Sequence, residues 1–201
     1  MIRPHPRSGR AFAGMKIGLL GGSFNPAHDG HRAMSIYALK RLGIDQVWWM
    51  VSPQNPLKST KGMAPLKERM KQASAFADHR KIVVTDIEDQ LGTRYTIDTL
   101  EALQKHFPAT RFLWLMGADN LQQMTRWKKW PQIFSLVPVA VFRRPAYAIG
   151  HGFGKVTQRF KRYGLPISQA KNIAKFDAPA WMLLDNPKNK ISATEIRKTK
   201  N

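Results

Sequence analysis

The sequence predicts an α/β protein with one domain, built on a doubly wound parallel sheet covered by helices on both faces. Three observations predict it. Short apolar runs alternate with amphipathic helical stretches from Lys16 onward. The runs are apolar throughout, as strands buried on both faces must be. The most unusual segments, "GGSFNPAHDGH", "SPQNPLKS" and "GADN", each follow such a run, at the edge where parallel sheets of this kind bind ligands.

In order, "KIGLLGG" reads as a strand ending in a glycine turn. "GHRAMSIYALKRLG" reads as a helix with an apolar stripe of Ala33, Met34, Tyr37, Ala38 and Leu42, closed by Gly43. "QVWWMVSP" is a strand stopped by Pro53, "NPLKSTKGMAP" a basic loop and "LKERMKQASAFA" a helix. "KIVVTDIE" is a third strand, and "YTIDTLEALQKHF" a helix ending before Pro108. "RFLWLMGAD" is a fourth strand, followed by short helices at "LQQMTRW" and "WPQIFSL". "PVAVFRRP" and "AWMLLDNP" are the fifth and sixth strands, and "SATEIRKTK" opens a last helix. The stretch from about Ala146 to Ala174 has no clear period.

The 201 residues suffice for one sizeable core and leave little for a second domain. Lys and Arg number 33 against 13 Asp and Glu, a formal net charge of +20. Such a field draws in polyanions: nucleic acid, anionic membranes or phosphorylated small molecules. There is no cysteine, which excludes disulfides, thiolate metal sites and cysteine nucleophiles and fits a reducing, cytoplasmic setting. No apolar run approaches the roughly 20 residues that span a bilayer, and the first residues lack a signal peptide's apolar segment. Residues 1–14, with Arg3, Arg7, Arg10 and two prolines but no acid, read as a disordered basic leader ahead of a domain spanning 15–201.

The loop from Gly21 to His31 leads from the first strand into a helix start, where unpaired N–H groups and the positive end of the helix dipole favour an anion. Gly21, Gly22 and Gly30 allow close approach to the backbone. His28 and His31, three apart, can donate to the same phosphate from the loop and the first turn. Such a pair can equally serve a metal, with Asp29 as third ligand, or simply lie at the surface. At the far end of the chain, Ser192 and Thr194 can cap a helix that carries Arg197 one turn in. A hydroxyl and a forked guanidinium there would make a second phosphate clamp.

"GSFNPAHDGH" resembles the [HT]-x-G-H signature of the nucleotidyltransferase superfamily, with His28 to His31 in the motif positions. "ISATEIR" matches its second signature, [ST]-x-[ST]-x-x-[RK] preceded by isoleucine. "SPQNPLK", "RYTIDTL", "MGADNL", "RWKKWPQIF" and "VFRRPAY" are similar to the nicotinate mononucleotide adenylyltransferase family, collinear from Lys16 to Arg197. The class I aminoacyl-tRNA synthetases share a related first signature but are much larger, and their lysine-rich second signature is absent from the sequence.

The resemblance implies a Rossmann-like fold and adenylyl transfer from ATP to nicotinate mononucleotide, by in-line attack and without a covalent intermediate. It implies a nucleotide loop of Gly21, Gly22, Ser23 and Phe24. His28, His31, Ser192, Thr194 and Arg197 would hold the ATP phosphates, with His31, His28 and Arg197 catalytic. Gly117 and Asp119 would lie near ribose and the second substrate, and Arg143 near adenine. Tyr95, Thr96 and Trp127 would surround the nicotinate, while Asn55 and Lys58 approach phosphate. Magnesium would be held mainly by the ATP phosphates, with no dedicated metal site; there is no membrane partner, and a homo-oligomer is left open. Other acceptors within the class are nicotinamide mononucleotide, phosphopantetheine or a cytidylyltransferase substrate. From another class, the charge could mark a nucleic-acid-binding protein with Trp48, Trp49 and Trp127 as stacking platforms. Trp48 and Trp49, however, fall in a strand that reads as buried.

Overall fold

The computed structural model describes residues 3–54, 62–143 and 154–185. Six strands form one all-parallel sheet in the order β3-β2-β1-β4-β5-β6. The strands are β1 (Lys16–Gly22), β2 (Gln46–Val51), β3 (Ile82–Thr85), β4 (Arg111–Gly117), β5 (Val139–Phe142) and β6 (Trp181–Leu184). The helices between them are α1 (Asp29–Arg41), α2 (Leu66–Ala77), α3 (Ile87–Gln90), α4 (Thr96–His106), α5 (Ala118–Gln123), α6 (Trp130–Leu136) and α7 (Gly154–Arg159). This is the doubly wound, Rossmann-like sheet that the strand runs predict. The chain moves outward from β1 to β3, then returns to lay β4 against the other side of β1. A crevice for ligands opens at that reversal, beyond the carboxyl ends of β1 and β4.

Both sheet faces are covered, which explains the uninterrupted apolar strands. Trp48 and Trp49 are neighbours in β2 but point to opposite faces, and both are fully buried. Trp48 and Met50 join Ile17, Leu19 and the apolar side of α4 on one face. Trp49 and Val51 join Leu20, Leu115 and the stripe of α1 on the other, where Met34, Ala38 and Leu42 are buried. Their burial removes Trp48 and Trp49 as platforms for stacking bases.

Three expectations need correction. "KIVVTDIE" leaves the sheet at Thr85, and its end winds into α3. Thr85 Oγ1 accepts from the Ile87 N–H at 3.1 Å, turning the chain before Asp86 could pair. Residues 154–175 are more organised than their composition suggests. Val156 and Phe160 pack on one face, with Phe160 stacked 4.4 Å from Phe134. The 3-10 stretch Ile167–Lys175 puts Ala170, Ile173 and Ala174 into the other.

The third correction is the leader. Gly9–Phe12 forms a 3-10 turn, and Phe12 is 2% exposed. Its ring meets Trp48 edge-on at 5.0 Å and Phe107 at 5.9 Å. The Thr110 hydroxyl donates to the Phe12 carbonyl at 2.8 Å, and the Gly14 N–H donates to Ala109. One aromatic residue in a basic, proline-bearing stretch was enough to fasten it to the core. Phe12→Ala is therefore expected to cost about 3–5 kcal/mol of stability, read by urea unfolding. A loss within about 0.5 kcal/mol would mean the segment is a surface appendage.

Candidate functional site

The turn from β1 into α1 builds the centre of the site. β1 ends at Gly21 and Gly22, and a Cβ on Gly21 would lie 2.8 Å from the Trp114 ring of β4. The two strands flanking the crevice can therefore pack this closely only with glycine at that point. Phe24 follows with a left-handed backbone, φ +46°. Its ring is buried, stacked on Trp49 at 5.1 Å and tilted against His31 at 4.7 Å. Phe24, expected in the nucleotide loop, turns its side chain into the core, where it supports His31 from beneath.

His28 is the N-cap of α1 and is 3% exposed. Its Nδ1 accepts from the Gly30 N–H at 3.1 Å, while His31 Nδ1 accepts from the His28 N–H at 3.2 Å. The rings lie 3.8 Å apart at 36°. This is the reciprocal logic of a capping box, carried by imidazoles instead of a hydroxyl and a carboxylate. With both Nδ1 atoms accepting, the ring proton of each neutral histidine resides on Nε2, which is then a donor. The first turn is braced from below: Ser35 Oγ donates to the His31 carbonyl at 2.8 Å and accepts from the Trp49 indole at 2.7 Å. Asp29 is exposed. Among the described residues no group of three or more His, Asp or Glu is placed to hold a metal ion.

The remaining described candidates also lie around the carboxyl edge of the sheet. Gly117 ends β4 and precedes α5, whose second residue is Asp119. Arg143 follows β5, with its guanidinium 3.6 Å from Asp185. Tyr95 and Thr96 open α4, and Trp127 sits thirty residues on in a turn before α6. Lys128 brings these segments together. Its ammonium lies 4.8 Å from the Tyr95 ring centre and 2.9 Å from Asp98 of α4. Tyr95 is 41% exposed, and Trp127 is half-buried with its ring edge-on to Trp114 at 6.4 Å. Asn55, Lys58, Ser192, Thr194 and Arg197 lie outside the described residues.

Three neighbouring polar residues were missed by sequence reasoning. Arg69 of α2 is 1% exposed and, among the described residues, gives its guanidinium to backbone carbonyls. Its signal was present: Arg69, Ala73 and Ala77 share one stripe at four-residue spacing, a charge on a buried face. Ser52 follows β2 directly and donates its N–H to the Gly22 carbonyl at 2.9 Å. Glu88 lies in α3, hidden within what reads as a strand. It is hydrogen-bonded to the side chains of Ser52 and Thr99. Burial pushes its carboxyl up to about 7, outweighing those hydrogen bonds.

Fold and crevice together are those of a nucleotide-binding α/β protein. The cytidylyltransferase-like family model matches residues 19–199. The chain is 48% identical over 184 residues to a protein of Parvibaculum lavamentivorans described as a "probable nicotinate-nucleotide adenylyltransferase", covering 92% of each. It is 49% identical over 182 residues to a protein of the same description from Gluconacetobacter diazotrophicus, covering 90% of this chain and 85% of that one. The fold is shared with a solved nicotinic acid mononucleotide adenylyltransferase of Plasmodium falciparum complexed with NaAD, at TM-score 0.69 and 18% identity, over 92% of this chain and 83% of the other. The chain belongs to the cytidylyltransferase-like family, and within it to the nicotinate-nucleotide adenylyltransferases.

The Glu88 site gives a pH prediction. The unfolded chain ionises this carboxyl near 4.5, whereas the folded protein keeps its proton up to about 7. Stability therefore falls as pH rises between those values, by on the order of 3 kcal/mol for this group. Glu88→Gln should gain in thermal midpoint relative to the parent protein across that window and hold the gain above it. A midpoint difference that does not change with pH would remove Glu88 as the source.

Proposed function

We propose that the protein transfers the adenylyl group of ATP to nicotinate mononucleotide, giving nicotinate adenine dinucleotide and pyrophosphate, a step toward NAD. The observation that carries the reading is the reciprocal His28–His31 cap beside the glycine end of β1, at the reversal of the strand order. The named relatives supply the acceptor.

The chemistry asks little of a base. The attacking oxygen belongs to a phosphate that is already anionic at neutral pH. It forms a bond to the α-phosphorus of ATP, and the bond from that phosphorus to the oxygen bridging to the β-phosphate breaks in line with it. Pyrophosphate carries away the electron pair. The protein's contribution is positioning and charge stabilisation. The Nε2–H groups of His28 and His31 donate to phosphate oxygens as charge moves onto the leaving group. Each ring is already fixed through Nδ1, so little reorganisation is needed. Arg197, Ser192 and Thr194 complete the clamp in this reading. Magnesium enters with the triphosphate as part of the substrate, held by phosphate oxygens.

On the acceptor side, Trp127 offers its partly open face to the pyridine ring, and Tyr95 flanks it. The backbone N–H groups at the start of α4, near Thr96, suit the nicotinate carboxylate. Asp119 accepts from ribose hydroxyls, Gly117 lies beside the ribose, and Asn55 and Lys58 serve phosphate. The reading calls for no membrane anchor, and no helix among the described residues is long and apolar enough to cross one. It places the reaction in the cytoplasm.

The reading is tested by pyrophosphate release with ATP and magnesium, comparing nicotinate mononucleotide with its amide. Release should strongly favour the acid; release with the amide alone would overturn the acceptor. His31→Ala should lower turnover by on the order of 10²–10³ with the fold retained by circular dichroism. Trp127→Ala should raise the Michaelis constant for the mononucleotide, and an unchanged constant would remove the stacking role.

A further inference from the structure

We propose that Arg69 is a positioning residue that locks the nucleotide loop after β1 to the loop after β2, so that the two substrates are presented in a fixed relation; the proposal rests on the adenylyltransferase reading. Arg69 donates from Nη1 to the carbonyls of Ser23 at 2.7 Å and Ser52 at 2.8 Å. Nη2 donates to Pro53 at 3.1 Å and Nε to Ala64 at 2.8 Å. One buried side chain therefore gathers carbonyls from three separate stretches of backbone: the turn leaving β1, the end of β2 and the approach to α2.

Stability alone does not account for this choice. Among the described residues no carboxylate forms an ion pair with Arg69. A buried charge met by neutral carbonyls is a poor substitute for an apolar side chain on a buried helix stripe. Burial lowers its pKa from the ordinary guanidinium value, as desolvation of a cation should. What the guanidinium supplies is shape. Its planar fork holds donors at fixed angles, and it satisfies four carbonyls that lysine, with one compact ammonium, could not reach together.

The carbonyl directions matter to the site. A trans peptide points its C=O and N–H to opposite sides. Turning the Ser23 carbonyl inward to Arg69 sends the Phe24 N–H away from the buried cation. Turning Pro53 does the same for the Gln54 N–H. Two further contacts hold the arrangement. Asn25 donates to the Gly62 carbonyl at 3.2 Å and accepts from the Ala64 N–H at 3.3 Å. Ser52 is held at its N–H by Gly22, at its carbonyl by Arg69 and at its side chain by Glu88. The histidine-bearing turn and the end of β2 are thereby tied to one rigid point.

The test uses the full chain with Arg69→Lys and Arg69→Ala. Steady-state kinetics for both substrates, thermal midpoints, ATP affinity by calorimetry, and hydrogen exchange at residues 22–28 would be measured. Arg69→Lys should fold, raise the Michaelis constants for ATP and the mononucleotide together by about tenfold or more, and lose exchange protection in the turn. Free guanidinium ion at a non-denaturing concentration should restore part of the activity of Arg69→Ala and none to Arg69→Lys. If Arg69→Ala does not fold, Arg69→Lys decides. A folded Arg69→Lys within about twofold of the parent in both constants would overturn the proposal. So would a loss that follows the fall in thermal midpoint with no effect of guanidinium on Arg69→Ala. A parent protein that binds ATP but does not use nicotinate mononucleotide would overturn the acceptor instead, with the Arg69 comparison then read from ATP affinity.

Discussion

Phe24 sits between the sheet and the first turn of α1 in a left-handed backbone conformation, φ +46°, with its ring stacked on Trp49 and His31 tilted above it. For a bulky residue that conformation costs about 1–3 kcal/mol. Fully burying the aromatic ring returns roughly the same amount. The turn therefore leans on Trp49, and Trp49 is set by its parallel register with Leu20 of β1. The rest of the site is stacked on this contact. The indole of Trp49 bonds Ser35, Ser35 bonds the His31 carbonyl, and His31 closes the reciprocal cap with His28. Sheet register thus becomes imidazole orientation within four contacts.

Around that turn, the carboxyl edge of the sheet breaks the rules that the rest of the protein obeys. The body of the sheet is apolar on both faces, yet its edge buries an arginine, a glutamate and the first histidine of the pair. Each is costly to bury, and each is engaged by hydrogen bonds. Local conflict between burial and polarity at a site, with consistency elsewhere, is how functional regions usually stand out from their scaffold. Glu88 and Arg69 meet at Ser52, one through its hydroxyl and the other through its carbonyl. The end of β2 is consequently specified by polar contacts, whereas its body is specified by packing.

How much of this was legible follows from the range of the forces involved. Strands and helices were readable because burial on two faces leaves continuous apolar runs, and burial of one helix face leaves a stripe. The turn from β1 into α1 was readable because Gly21, Gly22, His28 and His31 are close in sequence and their chemistry is local. Lys128 shows the limit: its contacts to Tyr95 and Asp98 join α4 to a turn thirty residues away, and no spacing announces them. Glu88 was hidden because a β-branched apolar run masks where a strand stops; the stop was set by the Thr85 side chain. Arg69 was visible as a charge on a buried stripe, but its partners are backbone carbonyls, which carry no sequence signature. Phe12 was overlooked because its neighbours are basic, although the packing of a single ring outweighed their composition.

The net charge of +20 shows why a global property and a local one must be weighed together. A field of that sign draws phosphates of any kind and does not distinguish a strand of nucleic acid from a small nucleotide. What distinguishes them is which aromatic faces are open. A single-strand binder spreads stacking faces along a groove. Here Trp48 and Trp49 are sealed on opposite sides of the sheet, while Tyr95 and the half-buried Trp127 belong to two segments drawn together by Lys128. That distribution fits the proposed reading, in which one ring is held at one corner of the crevice and the charge gathers anionic ligands toward it. In that reading the field would accelerate encounter, and discrimination would fall to the hydrogen-bond geometry fixed by the buried edge.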